Sequence, residues 1–317
     1  MKIGVLSRSR ALYSTNRLLE AGRNRGHRML IIDTIQAARG LGIAPRFSPS
    51  PHNSLRDPYA GRNQRRHGQP RVDAIIPRIG ASITSYGVAV VQHYESRGVL
   101  TSASSRAIEN SRDKLQSVKL MQAAGLPLPR TVLISRLPEL LPAVEAVGGY
   151  PVVIKITRGT QGRGVILAEN KATARAVLAV FFRHGQRPVL LQEFIEEADG
   201  RDVRLLIVGD RCVAAMERAA ALGEFRANLH RGGVAAAYKP DAHVERLALR
   251  AAALHELGVA GVDLIQSQRG PLLLEVNSSP GLEGIERASG VDIAADIMRF
   301  LEKQSRETRK KNRLPRR

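Results

Sequence analysis

The segment GVDLIQSQRGPLLLEVNSSPG, residues 261–281, constrains the fold of this chain more than any other stretch. Two apolar runs flank a short polar turn with a glycine, the pattern of an antiparallel hairpin. With the loop centred on Arg269, Asp263 faces Glu275 on the neighbouring strand, and Asn277 projects from the same face as Glu275. Adjacent carboxylates repel, so the pair calls for a cation. Two carboxylates and a neutral amide are hard oxygen donors suited to one or two Mg²⁺ ions that also hold phosphates. A solvated polar face of an edge hairpin is the alternative reading of the same residues.

At 317 residues the chain can bury a sizeable core and has room for about two domains at ~100–200 residues each. Its 43% apolar and 25% charged residues exclude global disorder. Cys212 is the only cysteine, which excludes an intrachain disulfide scaffold. No run of about 18 apolar residues and no signal-peptide pattern occurs, so a cytoplasmic protein without membrane contact is expected. The net charge of +20 is uneven. Residues 303–317 carry eight Lys and Arg against Glu307 alone, and residues 45–71 carry six Arg against Asp57 with five prolines. Both segments are expected to be poorly structured, the second as an Arg/Pro-rich insert and the first as a basic disordered tail. Contact with RNA or an acidic partner is then an accessory role of the tail.

Short apolar strands near residues 3–6, 29–32, 72–77 and 99–100 alternate with helices near 15–24 and 85–96, as in a mostly parallel α/β sheet. The first strand runs into Ser7-Arg8-Ser9-Arg10 without the glycine fingerprint of a dinucleotide site. No Gly-Lys-Ser or Gly-Lys-Thr occurs, which excludes a P-loop. A domain boundary falls near Ser102, before a helix at about 112–124. From Tyr150 onward strand-rich hairpins alternate with helices at 171–182 and 244–257. Gly209-Asp210 reads as a two-residue hairpin turn.

Three further elements carry chemistry. Lys155 sits in an apolar strand ahead of the loop Gly159-Thr160-Gln161-Gly162-Arg163-Gly164, whose glycines let backbone amides approach an anion. An ordinary glycine-rich hairpin turn has the same composition. Gln192-Glu193-Phe194-Ile195 ends a strand and can offer main-chain groups to an adenine edge, or be a solvated acidic turn. Arg226-Ala227-Asn228-Leu229-His230-Arg231 precedes paired glycines and suits carboxylate or phosphate recognition through arginine forks.

In this order and at these separations, the four elements resemble the ATP-grasp carboxylate–amine ligases. VVIKITRGTQGRGV, LLQEFI, FRANLHRGG, AGVDL and LLEVNSSPGLEGIE resemble the RimK-type glutamate ligases in particular, as do MKIGVLSR, IIPRIG and SRDKL. The likeness spans roughly residues 1–44 and 72–302. It implies an α/β, Rossmann-like pre-ATP-grasp domain at 1–103 and an α+β ATP-grasp domain of two subdomains at 104–302. Lys155 and Lys114 would contact the nucleotide, Gln161 and Gly162 would belong to a lid, and Glu193 and Phe194 would form the adenine hinge. Asp202 would lie near the ribose, and Arg226, Ala227 and Asn228 at the phosphate end. Asp263, Glu275 and Asn277 would hold Mg²⁺ or Mn²⁺, and Arg231 would act in catalysis. The implied reaction joins L-glutamate to an acceptor protein or peptide C-terminus, that of a small-subunit ribosomal protein in the type enzymes, with poly-α-glutamate as a related product. The resemblance also implies a homo-oligomer, with a tetramer as one form. A ligase acting on a cofactor or carrier-protein carboxylate shares the mechanism. A nucleic-acid-binding protein on a degenerate nucleotide fold is favoured only by charge, since aromatics are 4% of the chain.

Overall fold

The structure, a computed structural model, describes residues 1–41, 69–157, 164–183, 188–227, 229 and 232–313. The chain divides into one compact unit of Met1–Ser105 with Leu301–Arg317, and a second of Arg106–Phe300. Most of the Arg/Pro-rich insert, residues 45–68 of it, lies outside the described residues.

In the first unit, β1 (Lys2–Leu6), β2 (Arg28–Ile32), β3 (Ala74–Pro77) and β4 (Leu100–Thr101) form a parallel sheet in the order β2-β1-β3-β4. Ile3, Val5 and Leu6 are fully buried, as expected of a parallel strand covered on both faces. Helices α1 (Tyr13–Asn24), α2 (Thr34–Gly40) and α3 (Thr84–Glu95) connect the strands. Asp33 caps α2 by accepting from the N–H groups of Ile35 and Gln36, both at 2.9 Å.

The second unit opens with α4 (Ser105–Arg112) and α5 (Lys114–Ala123), where one helix over 112–124 was expected. The break falls at Asp113, whose carboxylate caps α5 through Leu115 and Gln116 N–H. A four-stranded antiparallel sheet follows from β5 (Thr131–Ile134), β6 (Val152–Ile156), β7 (Val165–Ala168) and β8 (Val189–Glu193), in the order β5-β8-β6-β7. Helices α6 (Leu140–Val147) and α7 (Lys171–Arg183) pack on it, burying Val152, Ile154, Leu178 and Leu191 in one core. The period-2 alternation of β6 then sends Val153 and Lys155 to the other face.

The third sheet is antiparallel and five-stranded, with the order β11-β10-β9-β12-β13. It comprises β9 (Arg201–Val208), β10 (Arg211–Ala219), β11 (Val234–Ala237), β12 (Val259–Ser267) and β13 (Gly270–Asn277). Gly209-Asp210 makes the β9–β10 turn, with Gly209 at φ 63°, the left-handed region that favours glycine. Helix α8 (Ala242–Leu254) packs against this sheet through Val244, Leu247, Ala248 and Ala251.

Helix α9 (Glu283–Ser289) precedes α10 (Ile293–Arg313), which corrects the expectation of a disordered tail beginning at residue 303. Ile293, Ile297, Met298 and Leu301 are buried at helical spacing, so the first half is nucleated by its core contacts. No glycine or proline interrupts the Lys-, Arg- and Glu-rich continuation before Pro315, and such residues propagate a helix at little cost. Within the first unit, Glu302 accepts from Arg25 Nε and Nη2 at 2.8 and 2.7 Å and sits 2.8 Å from His27 Nε2. Among the described residues, no helix is long and apolar enough to cross a membrane.

Candidate active site

The last hairpin pairs Asp263 with Glu275 and Gly261 with Asn277. The expected register arises from two departures that cancel. The turn holds Gln268 and Arg269, with Ser267 opposite Gly270, and a bulge between Asp263 and Leu264 then shifts the pairing by one residue. On its other side Asp263 pairs with Arg204 of β9, and Arg218 of β10 pairs with Asp202.

Sheet pairing therefore builds an ion cluster. Arg204 donates Nε and Nη2 to the two oxygens of Asp263, both at 2.6 Å. Arg218 donates Nε and Nη2 to Asp202 at 2.6 and 2.8 Å, and Nη2 also to Asp263 at 2.9 Å. Asp263 and Arg218 are each only 3% exposed. Burial alone would raise the Asp263 carboxyl, but Arg204 and Arg218 outweigh it and hold it at about 2. Burial pushes the Asp202 carboxyl up, opposed by Arg218. Glu275 is the accessible member, 43% exposed, with Arg204 Nη2 at 3.9 Å and the Asn277 Nδ2 donating to its Oε1 at 3.0 Å.

Among the described residues, no three His, Cys, Asp or Glu side chains gather to form a metal cage. Glu275 and Asn277 fit a hard cation that takes further oxygens from phosphate and water, and Asp263, whose two oxygens already accept from Arg204 and Arg218, would add only a lone pair those bonds leave.

Lys155 faces this cluster from β6. Burial lowers its ammonium to about 8, with Glu275 and Asp263 raising it and Lys114 lowering it further. Lys114 is lowered by burial too, and its N–H donates to Thr157 O at 2.9 Å, fixing the start of α5 beside the end of β6. Lys114, Lys155, Asp202, Asp263 and Glu275 line one pocket, and Glu193, Phe194, Arg226 and Ala227 line it too.

Several of these side chains are held within the protein. Glu193 accepts from the Arg130 N–H and from Arg269 Nη2. Arg226 forks onto Glu224 at 2.8 and 2.7 Å and donates Nη1 to Val165 O at 3.0 Å. Its guanidinium carbon lies 5.1 Å from the centroid of Phe225, which stands edge-to-face with Phe194. Gln161, Gly162, Asn228 and Arg231 lie outside the described residues. Sequence reasoning missed Arg204, Arg218, Glu224 and Phe225. Only the alternation of Asp202-Val203-Arg204 along a strand signalled Arg204 as a neighbour of the same face.

Two antiparallel sheets that both contribute side chains to one lysine- and carboxylate-lined pocket, following a parallel α/β unit in the chain, define an ATP-grasp enzyme. The chain matches the RimK-like ATP-grasp domain over residues 111–301 and the RimK PreATP-grasp domain over residues 1–41 and 62–108. It is 45% identical over 313 residues to a Vibrio cholerae protein named probable alpha-L-glutamate ligase, covering 99% of each chain. The structure of a RimK domain ATP-grasp protein from Sphaerobacter thermophilus matches with a TM-score of 0.69 at 22% identity, covering 95% of this chain and 99% of that one. The ATP-grasp ligase PsnB, solved with a phosphomimetic precursor variant, Mg and ADP, gives 0.66 at 22% identity, covering 96% and 99%. The chain belongs to the RimK-like ATP-grasp family, and it is an ATP-binding ligase that forms carbon–nitrogen bonds.

Proposed function

We propose that this enzyme joins the amine of L-glutamate to a carboxylate at the C-terminus of a protein or peptide, with a small-subunit ribosomal protein as the acceptor. The pocket carries this reading, because it sets the cations Lys114 and Lys155 beside Asp263 and Glu275. The Vibrio cholerae relative's name supplies the donor. PsnB, solved with a precursor, supports a peptide acceptor.

The acceptor carboxylate oxygen attacks the γ-phosphorus of ATP and ADP leaves, giving an acylphosphate. The glutamate amine then attacks the acyl carbon, phosphate leaves with the bonding pair, and the amine sheds a proton. Both reactants of the first step are anionic, so Lys155 and Lys114 offset charge where it accumulates. Asp263, Glu275 and Asn277 would hold Mg²⁺ or Mn²⁺, which supplies phosphate charge neutralisation when bound. The buried Asp202–Arg218–Asp263–Arg204 cluster keeps Asp263 ionised and oriented.

Glu193 and Phe194 read adenine, Asp202 lies toward the ribose, and Arg226, Ala227 and Asn228 border the phosphates. Gln161 and Gly162 belong to a lid that protects the acylphosphate from water. Arg231 orients the acceptor carboxylate or the departing phosphate. A chain of net charge +20 attracts an acceptor that ends in glutamate. The exposed basic turns of α10 add salt-sensitive affinity for ribosomal RNA, and the active form is a homo-oligomer, a tetramer in this reading.

Mass spectrometry of the acceptor after incubation with ATP, Mg²⁺ and glutamate tests this. Glutamyl mass increments are expected, and they should vanish in Arg231→Met while ATP affinity stays near that of the parent. Removing residues 303–317 should abolish salt-sensitive association with the ribosomal subunit but spare modification of a free peptide. Increments on a carrier protein or cofactor alone would replace the acceptor assigned here.

A further inference from the structure

Glu193 ends β8 and lines the pocket with Pro129, Gln192, Phe194 and Ile265. Its Oε2 accepts from the Arg130 N–H at 3.0 Å and from Arg269 Nη2 at 2.6 Å, and its Oε1 from Arg130 Nη2 at 3.3 Å. Arg130 immediately precedes β5, and Arg269 sits in the β12–β13 turn, so two sheets hold one carboxylate. A second tie runs alongside, from Gln268 N–H to Glu197 Oε1 at 3.0 Å.

The side chains of Arg130 and Arg269 are 52% and 48% exposed, so these pairs add little to stability. What they determine is where the Glu193 carboxylate points. Burial alone would raise that carboxyl, and the Arg130 N–H with the Arg269 guanidinium holds it below the usual carboxylate range.

We propose that Arg130 and Arg269 are positioning residues for nucleobase specificity: they engage the Glu193 carboxylate so that the strand end reads adenine through main-chain groups. An unengaged carboxylate beside a purine accepts from adjacent N–H donors. Guanine presents two on its Watson–Crick edge, N1–H and the N2 amino group. Adenine presents its N6 amino group next to the N1 lone pair, which repels a carboxylate. Freed from its arginines, Glu193 would favour guanine. The inference rests on the reading of Glu193-Phe194 as the adenine hinge.

The test compares kcat/KM for ATP and GTP in the parent, Arg269→Gln, Arg130→Gln/Arg269→Gln, Arg269→Lys, Glu193→Gln and Glu193→Gln/Arg269→Gln. The preference for ATP should narrow by about tenfold or more in Arg269→Gln, the scale of one hydrogen bond to a charged group. It should narrow further in the double arginine variant, and Arg269→Lys should recover part of it. In a Glu193→Gln background, adding Arg269→Gln should leave the ratio where the single substitution put it, because the coupling runs through the carboxylate. If the parent prefers ATP and Arg269→Gln keeps the same ratio, the positioning role is refuted while the hinge stands. A shift that persists without the Glu193 carboxylate also refutes it. A parent that uses both nucleotides equally refutes the hinge reading and the inference together.

Discussion

Lys155→Met should bind ATP about 10- to 100-fold more weakly than the parent, the loss of one charged phosphate contact, yet melt at a higher temperature. The two effects share a cause. Burial lowers the Lys155 ammonium from 10.5 to about 8, so the folded protein holds this charge against its preference in water. A methionine of similar length fills the same space without that cost. The pH dependence has a definite sign. Below about pH 8 the penalty is present in full, because Lys155 is charged in both folded and unfolded states. Between about 8 and 10.5 the unfolded chain binds more protons, so stability rises with pH. ATP affinity should run the other way, falling as pH climbs through the range in which the ammonium is lost. Titration calorimetry and thermal melts at pH 7 and 9.5 read both trends, and Lys155→Met should flatten each of them. A variant that melts lower than the parent would show that the ammonium is not held at a cost. Unchanged ATP affinity would place the phosphates elsewhere.

The Asp263–Glu275 pairing was legible because alternation along two apolar strands leaves few registers that keep Leu and Val buried. The turn geometry was not, and the bulge that compensates for it leaves no mark in composition. Arg204 and Arg218 stayed out of sight for a different reason. They reach Asp263 across 59 and 45 residues of chain, through strand pairings that no local pattern reveals. The sequence places Arg269 at the centre of a loop, while its contact with Glu193 spans 76 residues. The parallel order of the first sheet and the Gly209 turn followed from strand–helix alternation and a two-residue polar insert.

The basic tail shows the opposite failure. Composition from residue 303 onward lacks a core, but a helix needs packing only where it is nucleated. Buried Ile297, Met298 and Leu301 supply that nucleus, and the charged continuation follows. The consequence for function is geometric. Lys303, Arg306, Arg309, Lys310 and Lys311 are presented on a helix, at fixed spacing, and all five are exposed.

Asp263→Asn and Glu275→Gln should both lower kcat by about a hundredfold or more, since each removes one of the carboxylates proposed for the cation. They should separate sharply in stability. Asp263 is the buried counter-charge of Arg204 and Arg218, and an amide cannot balance two guanidiniums. A loss of about 3 kcal/mol follows, at the lower end of the range for breaking a buried pair because Arg218 retains Asp202. For the unit of roughly 200 residues that holds Asp263, that is about 6–12 °C in Tm. Glu275 is 43% exposed, so its substitution should change stability by less than about 0.5 kcal/mol. Acid titration adds a second discriminator. The Asp263 carboxyl is held at about 2 against an ordinary 3.8, so its stabilisation is present above 3.8 and lost as pH falls toward 2. Asp263→Asn should remove that part of the acid transition, whereas Glu275→Gln should leave it in place. Mg²⁺-dependent nucleotide binding, followed by calorimetry, should weaken in both. A Glu275→Gln enzyme that keeps full Mg²⁺-dependent binding and turnover would remove Glu275 from the cation site, and the paired-carboxylate reading of the last hairpin would fall with it.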